Sequence, residues 1–284
     1  MDLRRAYAEA ARITRKRARN FYFAFLSLPP AQRRSVYALY AFCREADDIA
    51  DGPESVEDKR LRLSRLRLRL DRAASGDPLL ERDAPLADTI AVYGVRPTDL
   101  HEVITGVETD LDFSPIQTFA ELRLYCYRVA AAVGLATLPI LTDGSPPDDE
   151  MKDSAEALGI GMQLVNIIRD IAEDLRRGRN YIPAEDLRRF GLSEEDLRRG
   201  RVSEPIRRLI AWESDRARRY LEEGKGLIRL LPQRSRSCPW LLSQIYGRIL
   251  TRIEDSGYDV FSGSRSLPTG EKVYLLVSSY LRRF

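Results

Sequence analysis

Two stretches of this chain concentrate oxygen-bearing side chains at a spacing that chemistry can use. In "CREADDIADG" (43–52), Arg44, Asp47 and Asp51 fall at i, i+3 and i+7, with Tyr40 one turn earlier and Asp48 alongside. In "GMQLVNIIRDIAEDLRRGRNYIP" (161–183), Gln163, Asn166, Asp170 and Asp174 fall at i, i+3, i+7 and i+11, with Arg169 beside them. Residues three and four apart share a helix face. Each stretch therefore predicts a polar ridge ending in two aspartates one turn apart, set in otherwise apolar sequence. Solvated helix faces typically alternate acid with lysine. These ridges instead mix amide, guanidinium and carboxylate, and the pattern occurs twice.

Bringing four carboxylates together in a buried place costs several kcal/mol per ion unless something offsets it. Mg²⁺ is a hard ion that keeps waters and combines a few carboxylates with substrate phosphate oxygens. Two facing Asp pairs are thus expected to hold a diphosphate through bridging Mg²⁺, with Arg44 and Arg169 as charge-assisted donors. A diphosphate so neutralised is a good leaving group, and in a dry pocket the chemistry that follows is ionisation of an allylic carbon. Zinc is not indicated, because His101 is the only histidine and no cysteine pair is near. A lone histidine on a helical segment reads as structure.

The elements that must present these ridges are helices. Apolar residues recur at three and four positions, predicting helices over roughly 1–28, 31–51, 56–74, 84–94, 98–112, 117–142, 149–177, 203–230, 237–256 and 268–283. Breaks carry turn chemistry: "LPP" at 28–30, "DGPES" at 51–55, "SGDP" at 75–78, "DGSPPDDE" at 143–150 and "PQRSRSCP" at 232–239. The segment "RLRLSRLRLRL" (60–70) alternates like a strand, yet Leu63, Leu66 and Leu70 share a helical face, so helix is expected. With no long linker and no short repeat, residues 1–284 are expected to form one all-α domain.

Composition narrows the class further. The chain has 284 residues, 44% hydrophobic and 31% charged, with a net charge of +3. That is a globular balance without the basic excess of a nucleic-acid binder. Only five of the 46 basic residues are lysine, and no function follows from this. Cys43, Cys126 and Cys238 have no metal-type spacing, which fits a reduced cytosolic compartment. The basic start lacks the apolar core of a signal peptide. No run of about 18 apolar residues is evident, so no membrane span is expected.

These motifs resemble the squalene/phytoene synthase family, all-α enzymes that join two prenyl diphosphates head to head. Its two Asp-x-x-x-Asp motifs are matched by Asp47/Asp51 in "ADDIAD" and Asp170/Asp174 in "RDIAED". "NFYFAFLSLPPAQRRSVYALYAFCREADDIAD" (20–51), "YCYRVAAAVGLATLPIL" (125–141), "QLVNIIRDIAEDLRRGRNYIPAEDL" (163–187) and "YGRILTRIEDSGYDVFS" (246–262) are similar to successive family blocks, in order and over nearly the whole chain. The resemblance implies an isoprenoid-synthase helical bundle with a central cavity. It also implies two or three Mg²⁺ ions held by Asp47, Asp51, Asp170, Asp174 and Asn166. Tyr40, Arg44, Gln163, Asn166, Arg169 and Tyr246 would contact the diphosphates, with Asp48 adjacent. Phe21, Phe25, Tyr125, Val129, Val133, Gly134 and Leu164 would line prenyl tunnels. Arg17 stands where relatives often carry histidine; it can hold phosphate but cannot shuttle a proton. Arg265 follows Gly263 and Ser264, where the family usually has arginine directly after "YDVFS".

The implied reaction joins two prenyl chains through a cyclopropylcarbinyl diphosphate, then rearranges to the 1-1′ bond. The last cation is quenched by hydride (squalene), proton loss (dehydrosqualene or phytoene) or water (hydroxysqualene). Phe25, on one helical face with Phe21, is expected to shorten the tunnel and favour two C15 farnesyl diphosphates. The alternative is phytoene formation from two C20 geranylgeranyl diphosphates. No Gly-rich dinucleotide fingerprint appears, but relatives that use NADPH bind it without one, so NADPH stays open as a cofactor. A prenyl diphosphate phosphatase or terpene cyclase on the same fold would show a different second motif, and an inactive accessory relative would have lost Asp or Arg from a ridge. The implied substrates are membrane lipids; peripheral contact with the inner membrane is compatible with this, although no basic amphipathic segment marks it. Oligomeric state is not legible in the sequence.

Overall fold

A computed structural model describes residues 2–263 and 266–282, with the backbone alone at Arg19. Among them there is no strand. The first helices are α1 (Leu3–Arg17), α2 (Arg19–Leu26), α3 (Pro30–Ala50), α4 (Val56–Ala74), α5 (Ala84–Tyr93) and α6 (Pro97–Thr109). Next, α7 (Phe119–Cys126) runs through a π-helical turn at Tyr127–Ala131 into α8 (Ala132–Leu141), followed by α9 (Asp149–Arg176). The remainder comprises α10 (Ala184–Arg189), α11 (Glu194–Arg198), α12 (Glu204–Gly224), α13 (Gly226–Leu230), α14 (Ser237–Asp255) and α15 (Thr269–Leu281).

Local chemistry accounts for the two helices that carry the ridges. α3 begins with Pro30 in its first turn, where the missing N–H costs nothing. Val36, Leu39, Phe42, Ala46 and Ile49 then form its buried face. α9 starts where the Asp148 carboxylate accepts a hydrogen bond from the Met151 backbone N–H at 2.8 Å. Its buried positions run almost unbroken from Ala155 to Ile171, as expected of a helix at the centre of a bundle. In α4, Leu63, Leu66 and Leu70 are fully buried, whereas the alternating Leu61 and Leu68 are 51% and 55% exposed. The helical face, and not the alternation, decides that segment.

Several expectations are corrected. The helix expected over 1–28 divides at Ala18, where ψ is 5°. That over 203–230 divides after Gly224. α10 and α11 are too short for periodicity to reveal. The segment Phe119–Leu141 is, by length and composition, apolar enough to cross a membrane, contrary to the expectation that no such run exists. Half of it is buried inside the bundle, between α6 and α9.

Around α9 the helices approach backbone to backbone. A Cβ on Gly159 would lie 2.6 Å from the Ala131 Cα, and one on Gly224 would lie 2.6 Å from the Leu158 Cα. A buried ion cluster fixes the chain that follows α9. Arg216 on α12 donates to Asp186 on α10 and to Glu213, both at 2.8 Å, and its guanidinium lies 4.0 Å from the centre of the Phe119 ring. Burial raises the Glu213 carboxyl to about 8, against the pull of Arg216.

Because the α9–α12 crossing has no room for a methyl group, Gly224→Ala is expected to destabilise the fold by about 1–3 kcal/mol. Chemical denaturation should report a lowered midpoint with an unchanged slope.

Candidate active site

α2, α3, the π turn with α8, α9 and α14 enclose a cavity of about 870 Å³. From α3 it is lined by Tyr40, Arg44 and Asp47, and from α9 by Gln163, Asn166, Arg169 and Asp170. The two polar ridges, separated by more than a hundred residues of chain, thus meet at one mouth. Arg17 contributes from the end of α1, Phe21 and Phe25 from α2, and Tyr246 from α14. Val129, Val133 and Gly134 form an apolar wall. Along α9 the lining runs from Glu173 to Ala155, about 27 Å of helix.

Five expected residues are off the cavity wall: Leu164, Tyr125 and Asp48, and also Asp51 and Asp174, the outer aspartates of the two ridges. Leu164 is 1% exposed in the core and off the cavity wall, because it lies about 100° around α9 from Gln163. Tyr125 does not line the cavity; its hydroxyl donates to Asp110 Oδ2 at 3.1 Å and its ring stacks on Tyr181 at 4.8 Å. Val129 lies within the π turn, whose wider winding breaks the simple four-residue spacing from Tyr125. Asp48 points to the flank, where it accepts from Arg17 at 2.5 Å and from Arg44 Nε at 2.8 Å. Arg265 lies outside the described residues.

Arginines neutralise the acids. Arg169 donates twice to Asp170, at 2.8 and 2.5 Å. Asp51, one turn beyond Asp47, has Arg179 at 3.3 Å and Arg177 at 3.6 Å. Burial works against the charge on Asp48, but the bonds from Arg44 and Arg17 hold its carboxyl below the usual range. Asp47 has only a long contact to Arg44, at 3.9 Å, and Asp174 has no ion pair within 4 Å among the described residues. Asp47 keeps 47% of its side chain accessible to the open mouth yet is ringed by protein. Burial, opposed by Arg44 and reinforced by Asp51, Asp48 and Asp110, pushes it up to about 7. Burial and then Asp170 push Asp174 up to about 7 as well. Burial raises the Tyr40 phenol to about 12, with Arg44 opposing. The buried Tyr246 hydroxyl has hydrogen-bonding partners in Asn166 and Asn20.

The sequence reading missed a group at the rim. Asp110, at the end of α6, accepts from the phenols of Tyr125 (3.1 Å) and Tyr181 (2.9 Å). Burial raises its carboxyl, with Arg179 opposing. Arg177, Arg179 and Tyr181 follow the second ridge directly, so their position in "RGRNYIP" was a usable signal. Asp110 carried none, because its partners are distant in sequence. Asn20 and Glu173 also line the cavity and were not anticipated. His101 Nε2 sits 2.8 Å from Asp71, away from the mouth.

Phe25 lies on the side of the cavity. Its ring meets Phe21 at 6.0 Å, Tyr37 at 6.2 Å and Tyr40 at 6.4 Å. The wall continues to Leu141, whose carbonyl lies 2.7 Å from the Ser235 hydroxyl. That hydroxyl is also 3.2 Å from Gln32 Oε1, one turn nearer the start of α3 than Val36.

Comparison with known proteins agrees with this architecture. The squalene/phytoene synthase family model matches residues 14–271. A 15-cis-phytoene synthase from Synechococcus elongatus is 37% identical over 291 residues, covering 99% of this chain and 94% of that protein. Another from Synechocystis sp. is 38% identical, covering 98% and 85%. Among solved structures, a dehydrosqualene synthase in complex with ligand aligns with a TM-score of 0.90 at 30% identity, covering 100% of this chain and 99% of the other. A squalene synthase from Alicyclobacillus acidocaldarius aligns at 0.85 and 32%, covering 91% and 96%. With its paired acid ridges at one cavity mouth and a family match over most of its length, the chain belongs to the squalene/phytoene synthase family of prenyltransferases, which act on prenyl diphosphates.

Proposed function

We propose that this enzyme condenses two geranylgeranyl diphosphates head to head into phytoene, releasing two diphosphates. The observation that carries the longer substrate is the full-length likeness to phytoene synthases. A second reading, two farnesyl diphosphates giving a C30 product, draws support from the Phe25 ring on the wall and from the likeness to dehydrosqualene and squalene synthases.

The donor set at the mouth suits Mg²⁺: hard carboxylate oxygens, two of them poorly compensated in the chain alone. No group of three or more acidic, His or Cys side chains among the described residues is arranged to hold a metal by itself. The shell would therefore be completed by substrate phosphate oxygens and water, which is how this ion is commonly bound. Asp47, Asp51, Asp170 and Asp174 would hold it, with Asn166 adjacent, and the bound ion would supply charge neutralisation to the diphosphate. Arg44 and Arg169 offer fork-shaped donors to the same oxygens. Tyr40 and Tyr246 orient them from the apolar side.

In the reaction, the C1–O bond of one substrate breaks and its diphosphate leaves. The double bond of the second substrate attacks that carbon, and loss of a proton closes a cyclopropane. The second diphosphate then leaves, the skeleton rearranges to the 1-1′ bond, and a second proton is lost to give the central double bond. The walls of Phe21, Val129, Val133 and Gly134 exclude water from the cations, and the protein's contribution is placement and electrostatics. Proton loss needs no reductant, so NADPH has no part in this reading.

Purified enzyme with Mg²⁺ and geranylgeranyl diphosphate is expected to yield a C40 hydrocarbon by gas chromatography, with or without NADPH. Faster turnover of farnesyl diphosphate would overturn the assignment. Phe25→Ala should leave the preference for the longer substrate in place. Asp47→Asn and Asp170→Asn should each lower kcat by about 10²–10³-fold, the scale of losing one electrostatic stabiliser, while circular dichroism stays unchanged.

The raised carboxyls give a signed pH dependence. Between about pH 4 and 7 the folded, metal-free chain retains protons on Asp47 and Asp174 that an unfolded chain has released. Stability should therefore fall as pH rises through that window. Mg²⁺ must displace those protons, so its stabilising effect should be larger at pH 8 than at pH 6. Scanning calorimetry with and without Mg²⁺ measures both, and Asp47→Asn should flatten the metal-free profile.

A further inference from the structure

α15 carries an apolar face turned outward as well as a buried one of mixed character. Lys272, Leu275 and Ser279 form its buried face. Val273, Tyr274, Val277, Tyr280 and Leu281 form the opposite one and are 45%, 63%, 54%, 64% and 81% exposed. At 100° per residue these five fall within an arc of about 120°. Among the described residues, five of the twelve exposed large hydrophobic side chains therefore lie on this single helix face. A contiguous patch of that kind marks a contact surface.

The surroundings of the patch say what covers it. Arg33 and Tyr280 both donate to the Leu26 carbonyl, at 3.3 and 3.1 Å, so Arg33 borders the patch. Arg248 and Arg252 pair with Glu271 at its other edge, and the Arg248 guanidinium lies 5.9 Å from the Tyr274 ring centre. The Arg282 guanidinium sits 4.8 Å from the centre of the Trp240 ring at the helix end. Four arginines against one glutamate give the rim a net positive charge. Exposed aliphatic side chains, two tyrosines and an arginine rim match an anionic lipid surface, where aromatic rings sit at headgroup level. The segment from Ser266 through Lys272, leading into the same helix, lines the active-site cavity.

We propose that the outer face of α15 is a seat on anionic lipid bilayers, so that a prenyl chain passes between the membrane and the cavity alongside this helix. This rests on the reading that substrate and product are long prenyl lipids, because a hydrocarbon product gains nothing by leaving into water.

The test is flotation of the full-length protein, without substrate, on vesicles of phosphatidylcholine with and without phosphatidylglycerol. Wild type should bind the anionic vesicles, and less so at high salt. Val277→Asp combined with Leu281→Asp should weaken binding at least about tenfold, by placing charge in the apolar face. Arg33→Gln with Arg282→Gln should remove the preference for anionic lipid. Turnover of detergent-solubilised substrate should be the same in Val277→Asp/Leu281→Asp as in wild type, whereas turnover of vesicle-embedded substrate should fall. Wild type that ignores vesicles, or a doubly charged variant that binds as well as wild type, overturns the proposal. So does light scattering that shows a dimer dissociated by the Asp substitutions, which would make the patch a subunit interface. The detergent assay reads the chemistry independently, so failure of the lipid seat and failure of the proposed reaction are separately visible.

Discussion

Like charges crowded at the mouth of an apolar cavity are the constraint on which this molecule is organised. Asp47, Asp51, Asp170 and Asp174 come from two helices that meet only in the folded bundle, and each pair alone would repel the other. In the chain as it stands, arginines carry the compensation: Arg169 on Asp170, Arg177 and Arg179 on Asp51, Arg17 and Arg44 on Asp48. Of the four ridge aspartates, Asp47, with Arg44 no nearer than 3.9 Å, and Asp174 are the ones whose acidity is most weakened. Arginine suits this role because it stays charged and presents a planar fork to carboxylate and phosphate alike. A diphosphate entering the mouth therefore meets donors that already balance acids, and binding is an exchange of partners within one charged layer.

Holding that layer requires rigid scaffolding close to the site. α9 is the axis, and its neighbours approach it at Gly159 and Gly224 with no space for a side chain. Such close crossings let the π turn and α12 lie against α9 backbone to backbone, which fixes where Gln163, Asn166 and Asp170 project. The buried Arg216–Asp186–Glu213 cluster ties α10 to α12. It thereby anchors the segment that brings Arg177, Arg179 and Tyr181 over the rim. A buried ion cluster of this type is weak evidence for added stability, but removing one partner would leave the others buried and uncompensated.

Below the charged layer the character of the cavity changes abruptly. Val129, Val133, Gly134, Leu138 and Leu141 line it together with Ala155, Leu158 and Met162, so beside the acid and arginine ridges the wall is largely hydrocarbon. That division matches an amphiphile with a doubly ionised head and a long apolar tail. The exposed face of α15 extends the apolar theme to the outside of the molecule, beside the wall that Leu267, Pro268 and Lys272 contribute.

What one helix can express by itself was legible in the sequence: the two ridges, the helical nature of α4 beneath its misleading alternation, and the all-α class. Periodicity reports which residues share a face, because that depends on local backbone geometry alone. Everything that required a second element was decided only by the tertiary structure. Asp110 gathers phenols from Tyr125 and Tyr181, the π turn diverts Tyr125 from the wall on which Val129 stands, and Leu164 turns into the core although its neighbour Gln163 faces the cavity. Spacing along the chain fixed the direction of each side chain around its axis, whereas packing between axes set the distances, and chemistry at this mouth depends on both.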